Sequence, residues 1–205
     1  MYSNDSQLLE QARQGNPAAF QQLVGPYIPT VRRFSYAFCR GWQDADDLAQ
    51  EALLKAFLAL GSFDGRAALS TWLFAIVRNT AIDWSRSRRG RERELEDPFT
   101  DRHAHSLQAQ DRTWERREEA QRIWGALKRL DAIFRVPLVL HHIEGLTYED
   151  IARVERVSIG TVRSRLARGR KKLKKLLLET EREGAGDSAG TSTAPLSSNS
   201  VRSSP

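Results

Sequence analysis

The chain has 205 residues, 32 of them Lys or Arg against 26 Asp or Glu, for a net charge of +6 and a pI near 9.8; this balance favours a polyanionic partner over an enzyme for acidic substrates. A single cysteine, Cys39, excludes an internal disulfide and a cysteine-cage zinc site, and is expected to sit in a helix face as a small hydrophobe. No apolar run approaches the roughly 18–20 residues of a membrane span, and the opening MYSNDSQLLEQARQG lacks the basic and apolar parts of a secretory signal, so a soluble cytoplasmic chain without membrane insertion is expected.

Alternating β-branched runs are scarce, and Leu, Ala, Arg, Glu and Gln dominate, which predicts an all-α protein. Asp5 or Ser6 can cap a first helix over Leu8, Leu9 and Ala12. Gly15-Asn16-Pro17 ends it, and Pro17 can open a second carrying Phe20, Leu23 and Val24. A third begins near Pro26 or Pro29 and carries Tyr27, Ile28, Val31, Phe34 and Phe38. After a break at Gly41-Trp42, the helix Asp44 to Leu60 places Leu48, Ala52, Ala56 and Leu60 on one core stripe. Asp44, Asp46, Asp47 and Glu51 crowd its first two turns, which suits the helix dipole and equally suits docking of a basic partner. The spacing does not fit a calcium loop, and no second group accompanies the carboxylates to make an acid/base pair.

Two glycines mark Gly61–Arg66 as a loop. The next helix starts near Leu69 or Ser70 and buries Trp72, Leu73, Ile76, Val77 and Thr80 or Ala81. A second face shows Arg78, Asn79, Asp83, Trp84 and Arg86, and Arg86, Arg88, Arg89, Arg91 and Arg93 crowd its end. Aromatics interleaved with arginines and an amide suit the unstacked bases of a single strand, although Trp72 and Trp84 also fit a helical core. From 92 to 117 the composition turns polar, Pro98 interrupts any helix, and a flexible linker is expected; His103 and His105 lack further ligands for a metal. Glu118 to Leu130 reads as a helix, and Pro137 is expected to open another that Gly145 ends.

Leu146 to Leu178 reads as two helices around a tight turn. Thr147 can cap the first, with Asp150 in capping-box spacing. Ser158 can cap the second, whose apolar face holds Val162, Leu166, Leu173 and Leu176 or Leu177. From Arg156 to Leu178 there are nine basic residues and no acid. A plain solvated face normally mixes signs; a uniform sign on a capped, two-helix element is the layout of a helix-turn-helix, whose second helix meets base edges while flanking cations hold phosphates. The tail beyond 181 is poor in apolar residues and is expected to be disordered. The expected architecture is therefore two small helical domains on a flexible linker.

Two stretches, DADDLAQEALLKAFLALGSFDGRAALSTWLFAIVRNTAIDWSRSRRGR and LTYEDIARVERVSIGTVRSRLARGRKKL, resemble regions 2.2 to 2.4 and region 4.2 of bacterial RNA polymerase sigma factors of the extracytoplasmic-function group, sigma-70 family. The resemblance implies a sigma region 2 bundle over 7–91, a linker over 92–117 and a sigma region 4 helix-turn-helix over 118–180. It implies that Asp47, Gln50 and Glu51 meet the clamp of the polymerase largest subunit, with Leu48 in the core, and that the polymerase flap is a further partner. Phe63, Asp64, Gly65 and Arg66 match the loop that receives a flipped −10 base, and Trp72, Arg78, Asn79, Asp83, Trp84 and Arg86 fall on the helix beside it. Ser158, Thr161, Val162, Arg163, Ser164 and Arg165 match the start of the helix that reads the −35 duplex, with Arg168, Lys171 and Lys172 on phosphates. The chain departs from the family where Glu155-Arg156 replaces the usual Leu-Gly of the turn. The function implied is promoter choice on core RNA polymerase, without a catalytic site, cofactor, metal or small-molecule substrate of its own, under control of an anti-sigma factor. A dimeric helix-turn-helix activator or repressor is the alternative, and it leaves the aromatic, arginine-rich helix unexplained; a recombinase or nuclease would need a nucleophile or carboxylate triad that the sequence does not offer.

Overall fold

Stripes of apolar residues three and four apart must be buried together, and helices stacked on helices are how such stripes meet. The computed structural model describes residues 3–39, 41–87 and 114–187, and among these all regular structure is helical. The first module comprises α1 (Ser3–Arg13), α2 (Pro17–Val24), a 3-10 turn (Gly25–Tyr27), α3 (Ile28–Tyr36), α4 (Trp42–Ala59), a 3-10 turn (Leu60–Ser62) and α5 (Leu69–Arg86). The second comprises α6 (Trp114–Lys128), α7 (Ala132–His142), α8 (Tyr148–Glu155) and α9 (Ile159–Asp187).

Local signals set the breaks in the first module. Gly15, at φ +86, turns the chain after α1. The Asn16 side chain then accepts from the backbone N–H of Ala18 and Ala19 at 3.0 and 3.2 Å, and Pro17 takes the first helical position. Leu48, Ala52, Ala56 and Leu60 are all buried, and α4 packs against both α3 and α5. Phe34 meets Phe74 edge-on at 5.0 Å between ring centroids, tying α3 to α5. Cys39 is not on a helix face as expected: it follows the end of α3 in the stretch leading to α4, half-buried.

Three boundaries in the second module differ from expectation. Pro137 does not open a helix; it lies inside α7. The Asp131 carbonyl has already accepted from Phe134 and Arg135, at 2.9 and 3.0 Å, so the first turn closes upstream of the proline. The one helical bond a proline forfeits falls at Ile133, on the exposed side, while Val136 to Leu140 are buried. α6 begins at Trp114, inside the expected linker, and the backbone of α9 continues to Asp187, past the boundary expected at 180. Arg88, Arg89, Arg91, Arg93, His103 and His105 lie outside the described residues. α9 crosses α7 at Gly169, where an added Cβ would meet Leu138 Cδ1 at 3.1 Å, so the glycine leaves room for the Leu138 side chain against α9.

The modules are packed on one another. α5 lies against α8. Arg33 on α3 donates through Nε and Nη2 to both carboxylate oxygens of Glu144, each at 2.7 Å, and the Glu144 side chain is almost fully buried. The hydrogen bond to Glu144 pushes the Arg33 guanidinium further above its ordinary value. Tyr36 stacks flat on Trp42 at 3.8 Å, meets Trp124 of α6 edge-on at 5.2 Å, and has Lys128 Nζ 3.5 Å above its ring centroid. Lys128 and Arg135 of the second module lie near enough to Cys39 to act on its charge.

Candidate nucleic-acid interface

In the second module the turn presents α9. The backbone N–H of Asp150 donates to Thr147 Oγ1 at 3.1 Å, so Thr147 caps α8. The Asp150 carboxylate does not close the expected reciprocal box; it accepts from the Thr147 hydroxyl at 2.8 Å and from Arg153 at 2.9 Å. Arg156 ends α8 in the left-handed region, at φ 53 and ψ 46, the one non-glycine with positive φ among the described residues. Val157 N–H then donates back to the Ala152 carbonyl at 3.1 Å. Ser158 Oγ accepts from Thr161 N–H at 3.1 Å and starts α9.

The inner face of this unit is Leu146, Ile151, Val154, Val162 and Leu166, all buried. Val162 is thus a core residue, and its side chain does not reach the surface where a base edge would lie. Arg163, Arg168 and Lys171 are exposed on the outer face, with Ser158 and Thr161 at its start. Ser164 Oγ donates to the Thr161 carbonyl at 2.9 Å and accepts from Arg168 at 3.2 Å. Lys172 lies 3.7 Å from Asp131 and over the Phe134 ring. Arg165 turns away from this face: its Nη1 donates to Glu155 Oε2 at 2.9 Å.

In the first module, Asp64 Oδ1 accepts from Arg66 N–H at 3.0 Å, and Gly65, at φ +74, supplies the turn between them. This holds the Arg66 side chain in solvent, 89% exposed, with its Nε 3.2 Å from Asp64 Oδ2. Phe63 is buried under the loop, 5.3 Å from the half-buried Trp72, and its carbonyl accepts from the Arg13 guanidinium. Phe63 therefore anchors the loop and is not on its open surface.

Along α5, Arg78 Nη1 donates to Asn79 Oδ1 at 3.3 Å, and Arg78 Nε lies 3.4 Å from Glu155 Oε1. Trp84 Nε1 donates to Glu51 Oε2 at 2.9 Å. Lys55 lies 3.1 Å from Glu51 and 3.4 Å from Asp83. Glu51, Lys55, Asp83 and Trp84 thus form one polar seam across α4 and α5, joining a residue expected at the polymerase contact to residues expected at the strand. Arg86 and Gln50 are exposed, Asp47 is half-exposed and Leu48 is buried. Sequence reasoning missed Lys55, and it missed Leu54 and Leu58, a turn apart on α4 and 58% and 75% exposed; apolar residues at i and i+4 off the core stripe were the available signal. It also missed a groove between α7 and α9 lined by Leu138, Leu173 and Leu177, with Arg170 and Lys174 at its edge.

Known proteins match this arrangement in both modules. The Sigma-70 region 2 family matches residues 23–91, and the Sigma-70 region 4 family matches residues 120–173. The RNA polymerase sigma-H factor of Pseudomonas aeruginosa is 37% identical over 186 residues, spanning 87% of this chain and 96% of that protein. The chain belongs to the extracytoplasmic-function sigma factors. SigM of Mycobacterium tuberculosis, named as such a factor, is 36% identical over 85% of each chain. Among solved structures, the sigma factor RpoE of Bartonella quintana, in complex with the anti-sigma factor NepR, is 32% identical with a TM-score of 0.62, covering 77% of this chain and 96% of that one. CnrH in complex with the cytosolic domain of CnrY is 30% identical with a TM-score of 0.62, covering 85% and 97%. As a sigma factor the chain binds core RNA polymerase and directs promoter-specific initiation, and the fold is the all-helical pair of region 2 and region 4 modules. Among the described residues no helix is long and apolar enough to cross a membrane.

Proposed function

We propose that the outer face of α9 reads the −35 duplex through Ser158, Thr161, Arg163 and Ser164, while Arg168, Lys171 and Lys172 hold phosphates. Arg165 joins that set once it leaves Glu155; Val162 supports the face from inside. In the first module, the Asp64–Arg66 loop over its Phe63–Trp72 base, with Arg78, Asn79, Asp83, Trp84 and Arg86 along α5, receives the melted −10 strand. Flipping a base costs a few kcal/mol, which loop contacts and stacking offset. Asp47, Gln50 and Glu51, extended by Leu54 and Leu58, dock on the clamp, and the apolar groove between α7 and α9 suits the flap. The polymerase supplies all catalysis, the chain is not itself an enzyme, and it works in the cytoplasm.

The observation that carries this reading is the all-basic run of α9 on a capped helix-turn-helix, with Arg163, Arg168 and Lys171 in solvent. Regulation by an anti-sigma factor is part of the proposal, supported by the resemblance to a sigma factor solved with one. The test is run-off transcription by purified core polymerase on fragmented genomic DNA, with start sites mapped with and without the chain. New starts that disappear with Arg163→Ala are expected; unchanged starts in the presence of the chain would overturn the proposal.

A further inference from the structure

Glu155 closes α8, and its side chain is 7% exposed. Its two carboxylate oxygens go to two different helices: Oε1 is 3.4 Å from Arg78 Nε on α5, and Oε2 accepts from Arg165 Nη1 on α9 at 2.9 Å. One carboxylate therefore occupies an arginine from each surface assigned above to DNA. Guanidinium recognises carboxylate and phosphate oxygens by the same charge-assisted geometry. Burial pushes the Glu155 carboxyl above its ordinary value, with Arg78 and Arg165 pulling the other way. A buried ion cluster is a weak source of stability, because desolvation offsets much of the attraction, and it is better suited to specifying an arrangement or a switch. A second ion pair crosses the same seam in the same sense, with Arg33 of the first module on Glu144 of the second.

We infer that Glu155 is an intramolecular stand-in for promoter phosphate: it holds Arg78 and Arg165 in a closed, DNA-free state and must be displaced before either surface engages a promoter. The inference rests on the assignment of those two arginines to DNA. Closure lowers apparent DNA affinity by the fraction of chain that is open, and recovering that fraction is the effect to measure.

The experiment uses the full chain without polymerase. Small-angle scattering reads its radius of gyration, and fluorescence anisotropy reads its affinity for a short mixed-sequence duplex at low salt. Glu155→Gln is compared with Glu149→Gln, an exposed position on the same helix that makes the same change in net charge. Glu155→Gln is expected to expand the chain and bind about tenfold more tightly than Glu149→Gln, the gain set by a closed state that leaves roughly a tenth of molecules competent. Equal radius and equal affinity in the two variants would overturn the inference. If Glu155→Gln loses cooperative melting, Arg33→Gln decides instead, since it cuts the other ion pair and leaves Glu155 in place; a folded Arg33→Gln chain that neither expands nor gains affinity overturns it equally. Failure of the sigma-factor assignments would show separately, as opening on substitution without any redirected transcription by the wild-type chain.

Discussion

Arg156 occupies backbone that a glycine would occupy at less cost. A side chain in the left-handed region is disfavoured by about 1–2 kcal/mol, and here φ is 53. Arg156→Gly is expected to raise unfolding stability by about 1 kcal/mol, the relief of strain less the greater entropy of the unfolded glycine; a urea titration reads it as a higher midpoint at unchanged slope. Cys39 gives a second single-residue test. Burial, with Asp44 adding to it, pushes the thiol from its ordinary 9.0 up to about 12, against the opposing pull of Lys128 and Arg135. An acid raised in the folded state keeps its proton there: the preference stabilises the fold below the ordinary value and is lost as pH rises through about 12. Iodoacetamide at pH 9 is therefore expected to alkylate the native chain far more slowly than the urea-unfolded chain, because only the latter holds abundant thiolate. Equal rates would show that the thiol is not protected.

Among the helices, the caps position the surface proposed to read DNA. Ser158→Ala removes the acceptor of the Thr161 N–H and is expected to cost about 1 kcal/mol in thermal or denaturant unfolding. Trp84→Phe keeps a ring between α4 and α5 but leaves Glu51 without its indole donor; it is expected to cost about 1 kcal/mol of stability by the same measurement. Much of this architecture was legible in the sequence. Pro17, Thr147 and Ser158 start helices because their side chains and φ preferences are local properties, and the Leu48–Leu60 stripe is buried because its spacing leaves it no other face. Pro137 was misread because a proline marks a helix boundary only by default; a first turn closed on Asp131 upstream cannot be read from composition. Val162 and Phe63 were placed on binding surfaces by correspondence with neighbours in a motif, whereas the structure shows each beneath its surface. The Glu51–Lys55–Asp83–Trp84 seam joins residues about a helix apart in sequence, which no periodicity reports.

For the whole molecule, the sequence suggested two modules on a linker, and the described residues show them in contact. The signal for that contact is dispersed: Arg33 and Glu144 are far apart in the chain, and each looks like an ordinary surface charge until the fold pairs them. Contact between modules in the free chain is compatible with the proposed engagement of two promoter elements on polymerase, since in that scheme the same arginines serve one partner at a time. Joining two weak sites gains effective concentration only once a third body fixes their spacing. The account's central claim, that separate modules act on separate promoter elements, is tested most directly by footprinting a responsive promoter bound by core polymerase with the chain, reading duplex protection at −35 and permanganate reactivity at −10 in one sample. With Asn79→Ala combined with Arg86→Ala, the account predicts that strand opening at −10 falls while protection at −35 stays. Loss of both signals together, or of neither, would contradict it.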